Sequence, residues 1–212
     1  MFAKLCRRHI PEAEFFHVVD ESLIQDTIRA GRLRKVTMRR LVDQIASAET
    51  AGAGAVLVTC SSIGHGVTLA QQFFDIPILR IDEAMAEAAV RQASIIGVLA
   101  TLRTTLDPTT ALLREKAAEA GREVKLVECL CEEAFPAVLA GDTETHDRIL
   151  RTALLEDLKD VDAIVLAQAS MARVVATLAP GALRAPVLSS PKSAVLRARR
   201  ALLLPDLERV AV

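Results

Sequence analysis

The chain has 212 residues, 51% of them hydrophobic, with 26 Lys and Arg against 27 Asp and Glu and a net charge of −1. That length suits one sizeable domain or two small lobes, and the charge balance gives no general attraction to nucleic acid or anionic membrane. With no Trp, no Tyr and six Phe, there is little for single-stranded nucleic acid to stack on.

No apolar stretch approaches the length of a membrane span, and no charged-then-apolar leader opens the sequence, so a cytoplasmic protein is expected. The basic runs at Arg32–Arg40 and Arg197–Arg200 read as solvated helix faces. Four cysteines (Cys6, Cys60, Cys129 and Cys131) do not make a disulfide framework in a chain this long, and reduced thiols are expected.

In chain order, the opening "MFAKLCRRHI" reads as a helix, and short apolar runs then alternate with longer helical patterns. Strands are expected at 14–19 ("EFFHVV"), 55–60, 77–81, 94–100, 123–128, 163–168 and 185–189. Several are continuous Val, Ile and Leu, which suits parallel strands covered on both faces. Helices are expected from Thr37 towards Gly52, from Asp82, and from a first turn holding Asp107 and Pro108 to a stop at Gly121. Further helices fall at 131–140, 142–160, 170–179 and 191–203. Cys129 and Cys131 in "ECLCEE" lack the second pair or the histidines of a tight zinc site and read as alternating structural residues at a strand end.

A strand, a small-residue turn with a polar group and a helix occur at "VLVTCSSIG" and again at "IVLAQASMA", about half the chain apart. Two similar lobes with such turns facing one cleft would explain the repeat, because ligands in open α/β sheets sit beyond the carboxyl ends of strands.

Three turns can carry chemistry. At the first, Cys60 follows a strand and precedes a helix, where free N–H groups favour a thiolate; a packed, inert thiol is the alternative, and Thr59, Ser61, Ser62 and His65 favour a site. His65 itself reads as a surface loop residue rather than a base for Cys60. At the second, "ATLRTTLDP", Thr101, Thr104 and Thr105 offer hydroxyls and N–H groups for a carboxylate or phosphate, with Arg103 nearby; Thr104 or Thr105 can equally be an N-cap. At the third, Gln168 and Ser170 occupy the turn matching the cysteine turn, where neither ionises near neutral pH and both suit hydrogen bonding to a substrate.

In this order and spacing the three turns resemble those of the aspartate/glutamate racemase superfamily, which includes glutamate, aspartate and hydantoin racemases, maleate isomerase and arylmalonate decarboxylase. "VLVTCSS" resembles its first-cysteine motif, "GVLATLRTT" the anion-binding turn and "IVLAQAS" the second-cysteine motif. The resemblance covers most of the chain. It implies an α/β protein of two pseudo-symmetric Rossmann-like lobes with parallel sheets and an interlobe cleft, residues 1–93 with 183–212 forming one lobe and 94–182 the other.

The resemblance further implies an enzyme without metal or organic cofactor, acting on a small carboxylate and able to form a homodimer. Carried over by position, Cys60 is the first catalytic cysteine and Gln168 stands where the second would be. Ser61, Ser62, Thr101, Thr104, Thr105 and Ser170 are the candidate substrate contacts. An amino-acid racemase or epimerase with Cys60 as proton carrier is the leading expectation; a one-cysteine decarboxylase or cis–trans isomerase of a small dicarboxylate, and a non-catalytic carboxylate binder, are the alternatives.

The chain departs from the family pattern in two ways: Gln168 replaces the second cysteine, and the opening helix lacks the family's first strand. In a doubly wound order that strand would lie between the strands at 14–19 and 55–60, so a start placed too far downstream, or a natural truncation needing a partner strand, is expected.

Overall fold

Six of the seven apolar runs become parallel strands in the computed structural model, which describes residues 1–203. The chain forms two compact units. One is Met1–Ile81 together with the chain from Pro191, and the other is Asp82–Ser190.

The second unit holds β3 (Ile95–Ala100), β4 (Lys125–Leu130), β5 (Ala163–Leu166) and β6 (Val187–Ser189) in the order β4-β3-β5-β6, all parallel. This is a doubly wound sheet, with its first strand inside. Alternate side chains leave opposite faces. Ile96, Val98, Ala163 and Val165 pack under α5 (Glu83–Gln92) and α6 (Arg103–Glu119). Leu99, Ile164 and Leu166 pack on the other face with Leu150 of α8 (Thr143–Thr152) and with Leu154 in the π-type turn Ala153–Asp157. Covering both faces explains why these strands read as continuous apolar runs. The short helices α7 (Ala134–Leu139) and α9 (Ala172–Val175) complete this unit. Because α5 packs against α6 and β5, and β6 pairs with β5, the unit changes fall at Asp82 and Pro191; the lobes that the family resemblance implies change near 93 and 183.

The first unit has one sheet of two parallel strands, β1 (Val56–Val58) and β2 (Ile78–Arg80). Val56, Val58 and Ile78 face a cluster with Leu23 of α2 (Glu21–Ala30), Leu41 and Ile45 of α3 (Lys35–Thr50) and Val67 of α4 (Gly64–Ala70). Leu57 and Leu79 face α1 (Phe2–His9) and α10 (Ser190–Leu203) through Leu5, Ile10, Val195 and Ala198. The bonds from Val56 N–H to the Pro77 carbonyl and from Ile81 N–H to the Val58 carbonyl direct the peptide groups of Val56 and Val58 at β2. Those of Leu57 therefore point to the opposite edge, where no strand stands among the described residues.

The strand expected at 14–19 is absent. Glu14–Val19 is irregular, with Phe16 and Val19 54% and 77% exposed. Aromatic and β-branched residues suit a strand, but without a neighbouring strand to bond to they gain nothing from extended pairing. The opening helix is present as α1; Arg197–Arg200 falls on α10, whereas Arg32–Arg40 starts in the turn before α3 and enters the helix only at Lys35. Arg40 bonds Asp20 and Asp26, and Arg199 bonds Glu12 and the His9 carbonyl.

Candidate active site

The first turn leaves β1 at Val58. Thr59 is exposed, and Cys60 takes an extended conformation (φ −135°, ψ 113°) before the 3₁₀ turn Ser61–Ile63 that leads into α4. Cys60 is half-buried, and Ser61 and Ser62 are buried. Cys60 stands at the N-cap of this turn and packs against the cluster of Leu41, Ile45, Ile63 and Val67. His65 lies on the exposed side of α4 rather than in a loop.

Reading the sequence passed over a buried cation in the same unit. Arg80 ends β2 opposite Val58 and is only 5% exposed. Its guanidinium lies flat against Gly64, where an added Cβ would come within 2.5–2.9 Å of three of its atoms, and it donates to the Thr68 hydroxyl at 3.2 Å. Gly64 is thus required for close approach at the start of α4. The available signal was an arginine inside the apolar run "PILRI".

The second unit brings Thr101 and Gln168 together across 67 residues of sequence. Leu99 is in register with Leu166, so two residues further on Thr101 and Gln168 leave the same sheet face beside one another. The Thr101 N–H donates to Gln168 Oε1 at 2.9 Å, and Gln168 Nε2 donates to Thr101 Oγ1 at 2.7 Å. This pairing fixes the orientation of the carboxamide, because only its oxygen can accept from the N–H. The Thr101 hydroxyl accepts from the amide, so its own proton stays available, as does the second Nε2 hydrogen. The pair presents two neutral donors and no group that ionises near neutral pH.

Helix α6 starts two residues later at Arg103, with Leu102 at its N-cap, so neither Thr104 nor Thr105 is the cap. Pro108 falls in the second turn, not the first: its ring tolerates helical φ, and the bond it forgoes is to a carbonyl next to the helix start. Thr105 is buried at 3% exposure, and Thr104 places Oγ1 out of solvent without a hydrogen-bond partner. Arg103 pairs at 3.7 Å with Asp107 one turn on, and Ser170 is exposed in the 3₁₀ turn Ala169–Met171. The structure thus joins Thr101 to Gln168 directly and sets Thr104 and Thr105 in the first turn of the next helix, while Ser170 lies exposed two residues after Gln168.

Among the described residues, no three His, Cys, Asp or Glu side chains are grouped to hold a metal ion, and no helix is long and apolar enough to cross a membrane.

The comparisons with known proteins agree with this architecture. A glutamate racemase isoform from Bacillus anthracis superposes with a TM-score of 0.70 at 17% identity, over 95% of this chain and 76% of that one. Glutamate racemase from Thermus thermophilus, solved with beta-chloro-D-alanine, gives 0.64 at 19% identity over 97% and 78% of the two chains. Picrophilus torridus aspartate racemase gives 0.63 at 12% identity over 93% and 88%. At such identities the likeness is one of fold. No curated protein matches by sequence. The family profile described as Asp/Glu/Hydantoin racemase matches residues 1–198, and by that match the chain belongs to the Asp/Glu/hydantoin racemase family.

Proposed function

We propose that the chain is a cofactor-independent isomerase that moves a proton on the carbon beside a carboxylate, with the Cys60 thiolate as the carrier. By the family resemblance, Ser61, Ser62, Thr101, Thr104, Thr105 and Ser170 are the candidate substrate contacts. The thiolate takes the proton from carbon, the electron pair is delocalised into the neighbouring carboxylate, and hydroxyl and N–H donors stabilise the charge that builds on its oxygens.

The observation that carries this reading is the Thr101–Gln168 pair. Gln168 stands at the second-cysteine position with its carboxamide committed to Thr101, so it orients donors and transfers no proton. Of the two matching turns, only that of Cys60 holds a group able to do so. The same observation favours a second reading in which one thiol suffices: decarboxylation with reprotonation on one face, or cis–trans isomerisation of a small dicarboxylate.

Proton NMR in deuterium oxide, with a panel of amino and hydroxy dicarboxylates, hydantoins and substituted malonates and with Cys60→Ala as control, tests both. Deuterium uptake beside a carboxylate that Cys60→Ala lowers by at least about 100-fold supports proton transfer at Cys60. Inversion accompanying uptake supports the racemase, and loss of a carboxylate supports the decarboxylase. Binding of panel members without exchange, by folded protein, would sink both in favour of a carboxylate-binding protein.

A further inference from the structure

Outside the turns assigned to substrate, the second unit holds two sulfurs side by side. Cys129 is the penultimate residue of β4, in register with Leu99, and Cys131 follows the strand with its N–H donating to the Ala100 carbonyl at 2.8 Å. One residue apart in extended chain, they leave the same face of the sheet and share the cluster around Leu99, Leu154 and Ile164. Their environments differ in a useful way: Cys129 is buried at 9% exposure, whereas Cys131 is half-buried and reaches solvent.

The Cys129 thiol donates to Asp157 Oδ2 at 3.9 Å, and the Cys131 sulfur lies on the same sheet face nearer to solvent. The hydrogen bond from Cys129 holds the Cys131 thiol below its ordinary value. The same bond, burial and the Asp157 carboxylate push Cys129 up. The outer sulfur is therefore the anion-forming one, and the inner sulfur remains a thiol against it.

We propose that Cys129 and Cys131 are an oxidisable dithiol that a hydroperoxide converts to an intrachain disulfide. The Cys131 thiolate attacks one peroxide oxygen and the O–O bond breaks, giving a sulfenic acid and hydroxide. The Cys129 sulfur then attacks the Cys131 sulfur. The S–S bond forms, the S–O bond breaks, and the Cys129 proton leaves with the hydroxyl as water. Peroxide is reduced by two electrons and the dithiol is oxidised by two. Positions i and i+2 of a strand lie about 6.7 Å apart at Cα, near the upper end of the disulfide range of about 4.4–6.8 Å. Cys131 is past the last paired residue of β4 and is held there by its N–H bond to the Ala100 carbonyl, which closing the bridge has to strain or release.

The test is a time course of the full chain with a few equivalents of hydrogen peroxide, quenched by alkylation and read on the tryptic peptide 126–148, which carries both cysteines. The expected result is a peptide two mass units lighter than its reduced form and restored by dithiothreitol, with Cys131 consumed about tenfold faster than Cys6, whose thiol burial pushes up. In Cys129→Ser the light form is lost and dimedone traps the Cys131 sulfenic acid. The proposal is overturned if the wild-type peptide keeps two alkylatable thiols while Cys6 reacts, or if Cys131 proceeds to sulfinic acid with Cys129 still free.

Discussion

The two units build the same strand-turn-helix step from different residues. In the first, a half-buried thiol precedes a 3₁₀ turn beside a sheet of two three-residue strands. In the second, a carboxamide is locked onto a threonine at the end of a four-stranded sheet covered on both faces. The unit with the larger sheet carries the neutral donors, and the unit with the smaller sheet carries the group that can ionise. Donors for a developing charge work best when held still, and a neighbouring strand in register is what holds them.

Core substitutions give the largest contrast. Leu99 is wholly buried in the middle of the second sheet, so Leu99→Ala should cost about 3–5 kcal/mol in urea unfolding. Leu57, half-buried on a strand with one open edge, should lose less than half of that in Leu57→Ala. Equal losses would mean that the first sheet is as closely packed as the second.

Two glycines extend the comparison. Gly97 lies in β3, where a Cβ would meet Leu158 Cδ2 at 2.9 Å and Val161 Cγ2 at 3.3 Å, so Gly97→Ala overpacks a closed core and should cost about 1–3 kcal/mol. At Gly64 the obstacle is the Arg80 guanidinium. Gly64→Ala should displace that charge, costing less stability but altering the affinity of the first unit for anions, measured by titration with malonate. A variant that unfolds like Gly97→Ala and binds like wild type would give Gly64 a packing role alone.

Substituting Gln168 probes the turns themselves. Gln168→Ala removes two hydrogen bonds and should cost about 1–2 kcal/mol, with the Thr101 amide resonance shifting most. Gln168→Glu keeps the bond to the Thr101 N–H but replaces a donor with a charge, so any substrate carboxylate bound there should bind at least about tenfold more weakly. Gln168→Cys instead supplies a second thiol, and should raise inversion relative to deuterium uptake. If Gln168→Cys left that ratio unchanged, the matching of the two turns would have no functional meaning.

Sequence patterning located these turns because strand ends, small residues and helix starts are local signals. Six strands appear within two or three residues of their expected limits, since each has a partner and a face to bury. Glu14–Val19 has the composition of a strand without the neighbour that would make it one. The start of α6 was misplaced because Pro108 reads as a first-turn residue, yet an interior proline near a helix start loses only one bond. The Thr101–Gln168 bonds, the Arg80–Gly64 contact and the Cys129–Cys131 pair were not legible. The first two depend on which strands become neighbours, and the third on Asp157 reaching Cys129 where alternation alone presents packing.

The smallest expected effect separates the units by their response to acid and salt. Each ties surface segments with a carboxylate held below its ordinary range. Asp20 in the first unit is held chiefly by the Ser22 hydroxyl, then by the Ser22 N–H and Arg40; Asp147 in the second is held chiefly by Arg173, with His146 adding to it. A carboxyl that is more acidic folded than unfolded stabilises the fold above the unfolded value, about 3.9, and that contribution disappears as pH falls through the folded one. Asp20→Asn and Asp147→Asn should therefore lie below wild type at pH 7 and converge on it below about pH 4, seen as urea midpoints. Arg173 is 52% exposed, so its attraction to Asp147 is open to screening, whereas a neutral hydroxyl donor is not. Half-molar salt should shrink the Asp147→Asn difference and leave most of that for Asp20→Asn, and equal shrinkage would show that Arg40, not Ser22, dominates at Asp20.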